Sequence, residues 1–143
     1  MTVPARMRVG SIILLPTLLF LSLMACSVKP KPVDSATVKR AGEYEASMDA
    51  NPNPPKTGEL ADLTFTVLKD GEPAENLETP PRLTVDMPKM PMNLPEVPLE
   101  DAGSGQWRAK DVRFPMAGGW AATLALPSGG GEEDVTFEFD VAP

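Results

Sequence analysis

Alternation of apolar and polar residues runs through most of this chain. The clearest example is 59–68, where Leu63, Phe65 and Val67 alternate with threonines and an Asp-Gly pair follows at 70–71. A period of two residues is typical of a strand that buries one face. Similar runs, separated by turns rich in Gly and Pro, predict further strands at 42–48, 82–87, 106–110, 111–114, 120–126 and 135–141.

These strands predict an all-β fold, because no ten-residue window has the periodicity of a helix. Six to seven short strands over 42–143 favour an antiparallel β-sandwich that forms one small domain. The residues expected in its core are Leu63, Phe65, Val67, Leu83, Val85, Trp120, Leu124, Phe137 and Phe139.

The first 25 residues have the pattern of a bacterial export signal. A basic start precedes an apolar run from Val9 to Met24, and small residues lead to Cys26, the only cysteine of the chain. This arrangement resembles the lipobox of bacterial lipoproteins. We therefore expect residues 1–25 to be a cleaved signal peptide and Cys26 to be acylated. The alternative is an uncleaved anchor helix, which the short apolar run and its interruption by Pro16 disfavour.

We expect residues 26–41 to form a flexible, acylated tether that lifts the domain off the bilayer. They are rich in Lys, Pro and Ser and lack apolar periodicity, and the Lys-Pro-Lys-Pro run at 29–32 favours an extended chain. The expected location is the cell envelope, facing the periplasm. Ser27 after the acylated cysteine favours the outer membrane if the cell has two.

Composition excludes several classes of function. The chain has 20 acidic and 13 basic residues and a net charge of −7, which disfavours binding to nucleic acid. It has no histidine, so the usual general base and the imidazole metal sites are absent. We therefore predict that the protein is not an enzyme.

The segment 87–95 is chemically unusual because it holds three methionines and three prolines in nine residues. Prolines at this spacing forbid a helix and favour polyproline II or an irregular edge. Thioethers are soft, uncharged ligands that favour Cu(I) over Zn, Mg or Ca. The candidate ligands are Met90, Met92 and Met116, with Met87 as a fourth, and the candidate binding surface beside them is Asn93 and Trp120. The alternative is that these methionines fill gaps between the sheets.

A series of short motifs, taken in order, resembles the YtkA-like domain over about residues 42–141. The motifs lie at 55–58, 63–67, 70–73, 87–92, 103–107 and 114–120. The resemblance implies an immunoglobulin-like β-sandwich that is exported or attached to a membrane and has no catalytic residues. It also implies an association with copper handling and with the maturation of respiratory oxidases.

The resemblance places the family's methionine-bearing loop at Met87, Met90 and Met92, and its glycine turn at 116–120. This loop lacks the histidine found in many members, so it supports only Cu(I). The favoured function is a lipid-anchored, extracytoplasmic module that binds or delivers Cu(I), with the membrane and an envelope or oxidase-assembly protein as partners. The alternative is a metal-free protein-interaction module of the cell envelope.

Overall fold

A computed structural model describes residues 29–143 of the chain. The predicted signal peptide, its cleavage site and Cys26 lie outside the described residues. The strands are β1 (Lys39–Ala41), β2 (Tyr44–Asn51), β3 (Leu60–Lys69), β4 (Glu72–Pro73), β5 (Arg82–Asp86), β6 (Glu100–Gly103), β7 (Gln106–Arg113), β8 (Gly118–Ser128) and β9 (Gly131–Val141). Residues 29–143 contain no helix long and apolar enough to cross a membrane.

The strands form two antiparallel sheets, which confirms the predicted all-β sandwich. The larger sheet has the order β1-β2-β3-β7-β6, with β4 paired to β3, and the smaller sheet has the order β5-β8-β9. The prediction of six to seven strands missed β1, β4 and β6. These three strands have two to four residues and no buried side chain, so they lack the alternation that marks a strand.

The break predicted between 110 and 111 is a β-bulge within β7. Register shifts by one residue there, because Leu63 pairs with Ala109 whereas Ala61 pairs with Val112. Asp111 has a φ of 55°, and its backbone N–H donates to Asp62 Oδ1 at 3.2 Å. A bulge inserts an extra residue without ending the strand, so the two predicted pieces are one element.

The core lies between the sheets and contains every residue that the alternation predicted for it. Phe65 of β3 meets Phe137 of β9 across the interface, with ring centroids 5.9 Å apart. No charged or polar side chain is buried among residues 29–143. Burial of each large apolar side chain stabilises a fold by about 1.5–3 kcal/mol, so this apolar interface dominates the stability of the domain.

The predicted tether is shorter in the structure, because the chain joins the domain from Lys31 onward. The carbonyl of Lys31 accepts a hydrogen bond from the backbone N–H of Asp140 at 3.0 Å, and the Lys31 N–H donates to Asp140 Oδ2 at 2.6 Å. Val33 is buried in the core, and the side-chain amide of Asn53 bonds to its N–H and its carbonyl, both at 2.8 Å. Residues 39–41 then pair with β2.

The two ends of the sandwich carry different loops. One end, called here the methionine end, contains the loops 51–60, 87–93 and 114–118, which follow β2, β5 and β7. The opposite end contains the turns 103–106 and 128–131.

Hydrogen bonds between loops and strands close both ends. At the methionine end the Gly58 N–H donates to the Phe114 carbonyl at 3.0 Å, and the Thr57 N–H donates to the Ala142 carbonyl at 2.8 Å. At the opposite end the Tyr44 hydroxyl donates to the Pro127 carbonyl. These hydrogen bonds hold the loops at each end in place.

The docking of the N-terminal segment predicts a clear difference between two valines. Val33→Ala is expected to lower the free energy of unfolding by about 1–2 kcal/mol, because it removes buried methyl groups. Val38→Ala is the matched control, and it should change stability by less than about 0.5 kcal/mol because Val38 is exposed. Urea unfolding of the soluble chain that begins at Lys29 measures both. Equal effects would show that residues 31–33 do not pack on the domain.

Candidate functional site

Hydrogen bonds fold the loop 87–93, called here the methionine loop. Asp86, the last residue of β5, accepts bonds at Oδ1 from the backbone N–H groups of Met87 and Met92, both at 2.8 Å. The Met90 N–H donates to the Met87 carbonyl at 2.9 Å and closes a turn. Asn93 follows with a φ of 49°, a left-handed conformation that asparagine tolerates better than most residues. The loop is therefore held by Asp86 as well as by its prolines.

A second loop, 114–118, connects the larger sheet to the smaller one. The rings of Phe114 and Trp120 meet edge to face, with centroids 5.2 Å apart. The indole N–H of Trp120 donates to the Met116 carbonyl at 3.1 Å, which positions the middle of the loop. Aromatic packing beneath this loop thus sets where Met116 emerges.

The two loops contact each other through Met87 and Gly118. A Cβ atom built on Gly118 would lie 3.1 Å from the terminal methyl carbon of Met87, and Gly118 has a φ of 131°. Both the close approach and the positive φ favour glycine at this position. The absence of a side chain at Gly118 therefore lets the Met87 side chain pack against the second loop.

The structure separates the predicted site residues into buried and accessible ones. Met87 is only 8% exposed and belongs to the core, and Trp120 is 1% exposed. Met90 is 55% exposed and Met116 is 36% exposed. Met92 is half-buried and packs against the core, whereas Asn93 is exposed. Of the four predicted methionines, Met90 and Met116 are therefore exposed, Met92 is partly exposed and Met87 is buried.

Two clefts border these loops, and sequence reasoning predicted neither. A cleft of about 240 Å³ is lined by Pro88, Lys89 and Trp120 and also by Lys31 of the N-terminal segment. The contribution of Lys31 could not be predicted, because it depends on a backbone pairing with β9.

The other cleft, of about 340 Å³, opens between β5 and the end of β7. Leu94 and Pro95 line it together with Phe114 and Trp120. Leu94 lies in the predicted methionine- and proline-rich segment, and its apolar character was the one signal that could have drawn attention to it.

Beyond this second cleft, Arg82 fixes the chain that follows the methionine loop. Its guanidinium donates to Glu96 at 3.0 Å and also forms an ion pair with Glu132 of the β8–β9 hairpin. The hydrogen bond and charge of Glu132, followed by the charge of Glu96, raise the pKa of Arg82 above its ordinary value. The three side chains are exposed, so they orient the segment more than they stabilise it.

Other metal-binding donors are not assembled in the part of the chain that the structure describes. Residues 29–143 contain no group of three or more His, Cys, Asp or Glu side chains that could hold a metal ion. The methionine end is therefore where this part of the chain presents soft donors.

The family model described as YtkA-like matches residues 39–125. The matched region begins at β1, includes both methionine-bearing loops and ends within β8. It covers more than half of the chain. Searches of curated proteins and of solved structures found no match.

The two bonds accepted by Asp86 generate a prediction about the order of the methionine loop. Asp86→Ala is expected to lower the free energy of unfolding by about 1–3 kcal/mol, because it removes the oxygen that accepts both hydrogen bonds. Amide hydrogen exchange at Met92 should become about tenfold faster or more.

Asp86→Asn is the matched control for this prediction. Its side-chain oxygen can still accept both bonds, so exchange at Met92 should stay closer to that of the unmodified protein. If the alanine and asparagine variants behave alike and both resemble the unmodified protein, Asp86 does not hold the loop.

Proposed function

The chain belongs to the YtkA-like family, and from this membership we propose that it is a lipid-anchored, periplasm-facing module that binds Cu(I) as a cargo. The family indicates an extracytoplasmic domain, and the β-sandwich provides a scaffold with two loops at one end. The proposed ligands are the thioethers of Met90, Met92 and Met116. Met87 is left out of the proposed ligand set because its side chain packs in the core.

The observation that carries the proposal is the contact between two loops that both present accessible methionines. Met87 packs against Gly118, so the loop that bears Met90 and Met92 lies beside the loop that bears Met116. Three neutral thioethers favour a soft monovalent ion such as Cu(I) over the harder divalent ions.

Order in the backbone supports binding by these side chains. Asp86 holds both ends of the 87–92 segment, and Trp120 holds the Met116 carbonyl. A site whose backbone is already ordered loses less conformational entropy when it binds a ligand. Methionine side chains still have three rotatable bonds, so they can adjust to an ion without moving the scaffold.

A metal-free interaction module is the second candidate, and one observation favours it. Most of the large apolar side chains that are exposed in the described residues lie in or next to the loops of the methionine end: Leu60, Met90, Leu94 and Met116. Exposed apolar side chains that cluster are typical of protein-interaction surfaces. An envelope protein or an oxidase-assembly protein is the partner proposed for either function.

Cu(I) binding can be tested with paired methionine variants. Met90→Leu combined with Met92→Leu is expected to weaken Cu(I) binding at least tenfold, because leucine keeps the apolar volume and loses the sulfur donor. That loss corresponds to about 1.4 kcal/mol or more of binding free energy. Competition with a chromogenic Cu(I) chelator under reducing conditions measures the affinity.

Met87→Leu is the matched control, because it changes a buried methionine of the same loop and should leave the affinity unchanged. Melting temperatures should differ little among the three proteins, since Leu and Met have similar volumes. Unaltered copper affinity in the double variant would show that Met90 and Met92 are not the ligands, and no measurable affinity in the unmodified protein would favour the metal-free module.

The proposed anchor is tested separately. Cys26→Ala is expected to move the protein from the membrane fraction to the soluble periplasmic fraction, because no acyl chain can be attached to alanine. Fractionation and immunoblotting measure the distribution, and Ser27→Ala serves as the control that keeps the cysteine. Membrane association that persists without Cys26 would contradict acylation.

A further inference from the structure

We propose that the methionine end faces the bilayer and rests close to its surface. This inference depends on the acylation of Cys26 in the proposed function, and it adds an orientation that acylation alone does not give. It follows from where the N-terminal segment joins the domain, how much chain remains before that point, and the chemistry of the nearby surface.

The N-terminal segment joins the domain at the methionine end. Lys31 pairs through its backbone with Asp140, and Asp140 lies opposite Gly119 near the start of β8. Lys31 also lines a cleft together with Pro88 and Lys89 of the methionine loop. From Lys31 the chain runs away from this end, because β1 pairs with 44–46, the part of β2 nearer the opposite end. The chain therefore enters the domain at this end.

Little chain remains between the proposed anchor and this junction. Five residue steps separate Cys26 from Lys31, and an extended chain spans at most about 3.3–3.6 Å per residue, or about 18 Å in total. The 11-residue strands β8 and β9 make the sandwich about 35 Å long. The remaining chain is thus too short to pass along the domain and place the opposite end against the bilayer.

The surface at the methionine end suits contact with lipid headgroups. Met90, Leu94 and Met116 are exposed apolar side chains that can enter the interfacial region. Lys29, Lys31 and Lys89 are exposed, and none of them forms an ion pair within residues 29–143. Glu138 and Asp140 line the same cleft as Lys31 and Lys89, so the lysines offset acidic charge there and reduce the repulsion of anionic headgroups by a chain whose net charge is −7.

The orientation restricts the partner that could receive or supply Cu(I). A protein that exchanges the ion with Met90 and Met116 must present its own ligands within about 20 Å of the bilayer surface, given the reach of the chain. A membrane protein meets this requirement, whereas a soluble carrier would have to enter the gap between domain and bilayer.

Unique labels at the two ends can measure the orientation. Cys26 is the only cysteine of the chain, and acylation blocks its thiol, so an introduced cysteine is the single labelling site. Met90→Cys places a fluorophore at the methionine end. Gly130→Cys is the matched probe at the opposite end, where a Cβ would meet nothing within 4 Å. The purified acylated proteins are incorporated into vesicles that contain anionic lipid and a lipid with a quencher on its headgroup.

Quenching of the label at position 90 is expected to be at least about twofold stronger than quenching at position 130, because the two positions differ by about the length of the sandwich. Equal quenching, or stronger quenching at position 130, would overturn the proposal.

Two further measurements separate this proposal from the proposed function. Vesicle flotation reports the anchor: if the acylated proteins do not float, the anchor and the orientation both fail, whereas flotation with equal quenching overturns the orientation alone. Insertion of about 12 Gly and Ser residues between Ser27 and Val28 adds roughly 20 Å of reach. This insertion should reduce the difference in quenching, and an unchanged difference would overturn the argument from chain length.

Discussion

The edge-to-face contact between Phe114 and Trp120 is the interaction on which the methionine end depends. After β7 the chain crosses from the larger sheet to the smaller one. Phe114 directly follows β7, and Trp120 lies near the start of β8. Phe114 also meets Phe139 of β9, with ring centroids 5.7 Å apart, so the ring that follows β7 packs on two strands of the smaller sheet. The loop between Phe114 and Trp120 bears Met116, and the loop that bears Met87 packs on its Gly118. Loss of the aromatic contact would therefore disturb both loops.

The same residue type has two roles in this fold, and burial decides between them. Met48 and Met87 pack in the core, where a flexible apolar side chain fills the space between sheets. Met90 and Met116 emerge from ordered loops, and their side chains are exposed. Within the loop 87–93, Asp86 bonds to the backbone at Met87 and at Met92 and so holds the turn between them, where Met90 is exposed. The packing and the ligand interpretations of the methionines therefore apply to different residues.

Hydrogen bonds from Asn53 and Asp140 hold the backbone of the N-terminal segment. Asn53 bonds to both backbone groups of Val33, and Asp140 bonds through its backbone and its carboxylate to Lys31. These contacts show that residues 31–33, which were predicted to be part of the tether, belong to the domain. Under the proposed acylation of Cys26, a connection this short restricts which surface can face the bilayer, whereas a long one would leave every surface free to meet a partner.

The sequence by itself determined the strands that carry the core, the antiparallel sandwich and the family, since alternation with a period of two and short turn motifs are local properties. It also pointed to the methionine-rich segment through composition. Only the tertiary structure decided that Met87 is buried while Met90 is exposed, that Leu94 borders a cleft, and that Lys31 and Val33 belong to the domain. These outcomes depend on contacts such as that between Lys31 and Asp140, which are 109 residues apart. A local pattern specifies which face of a strand is buried, but it carries no information about which distant segment covers a given surface.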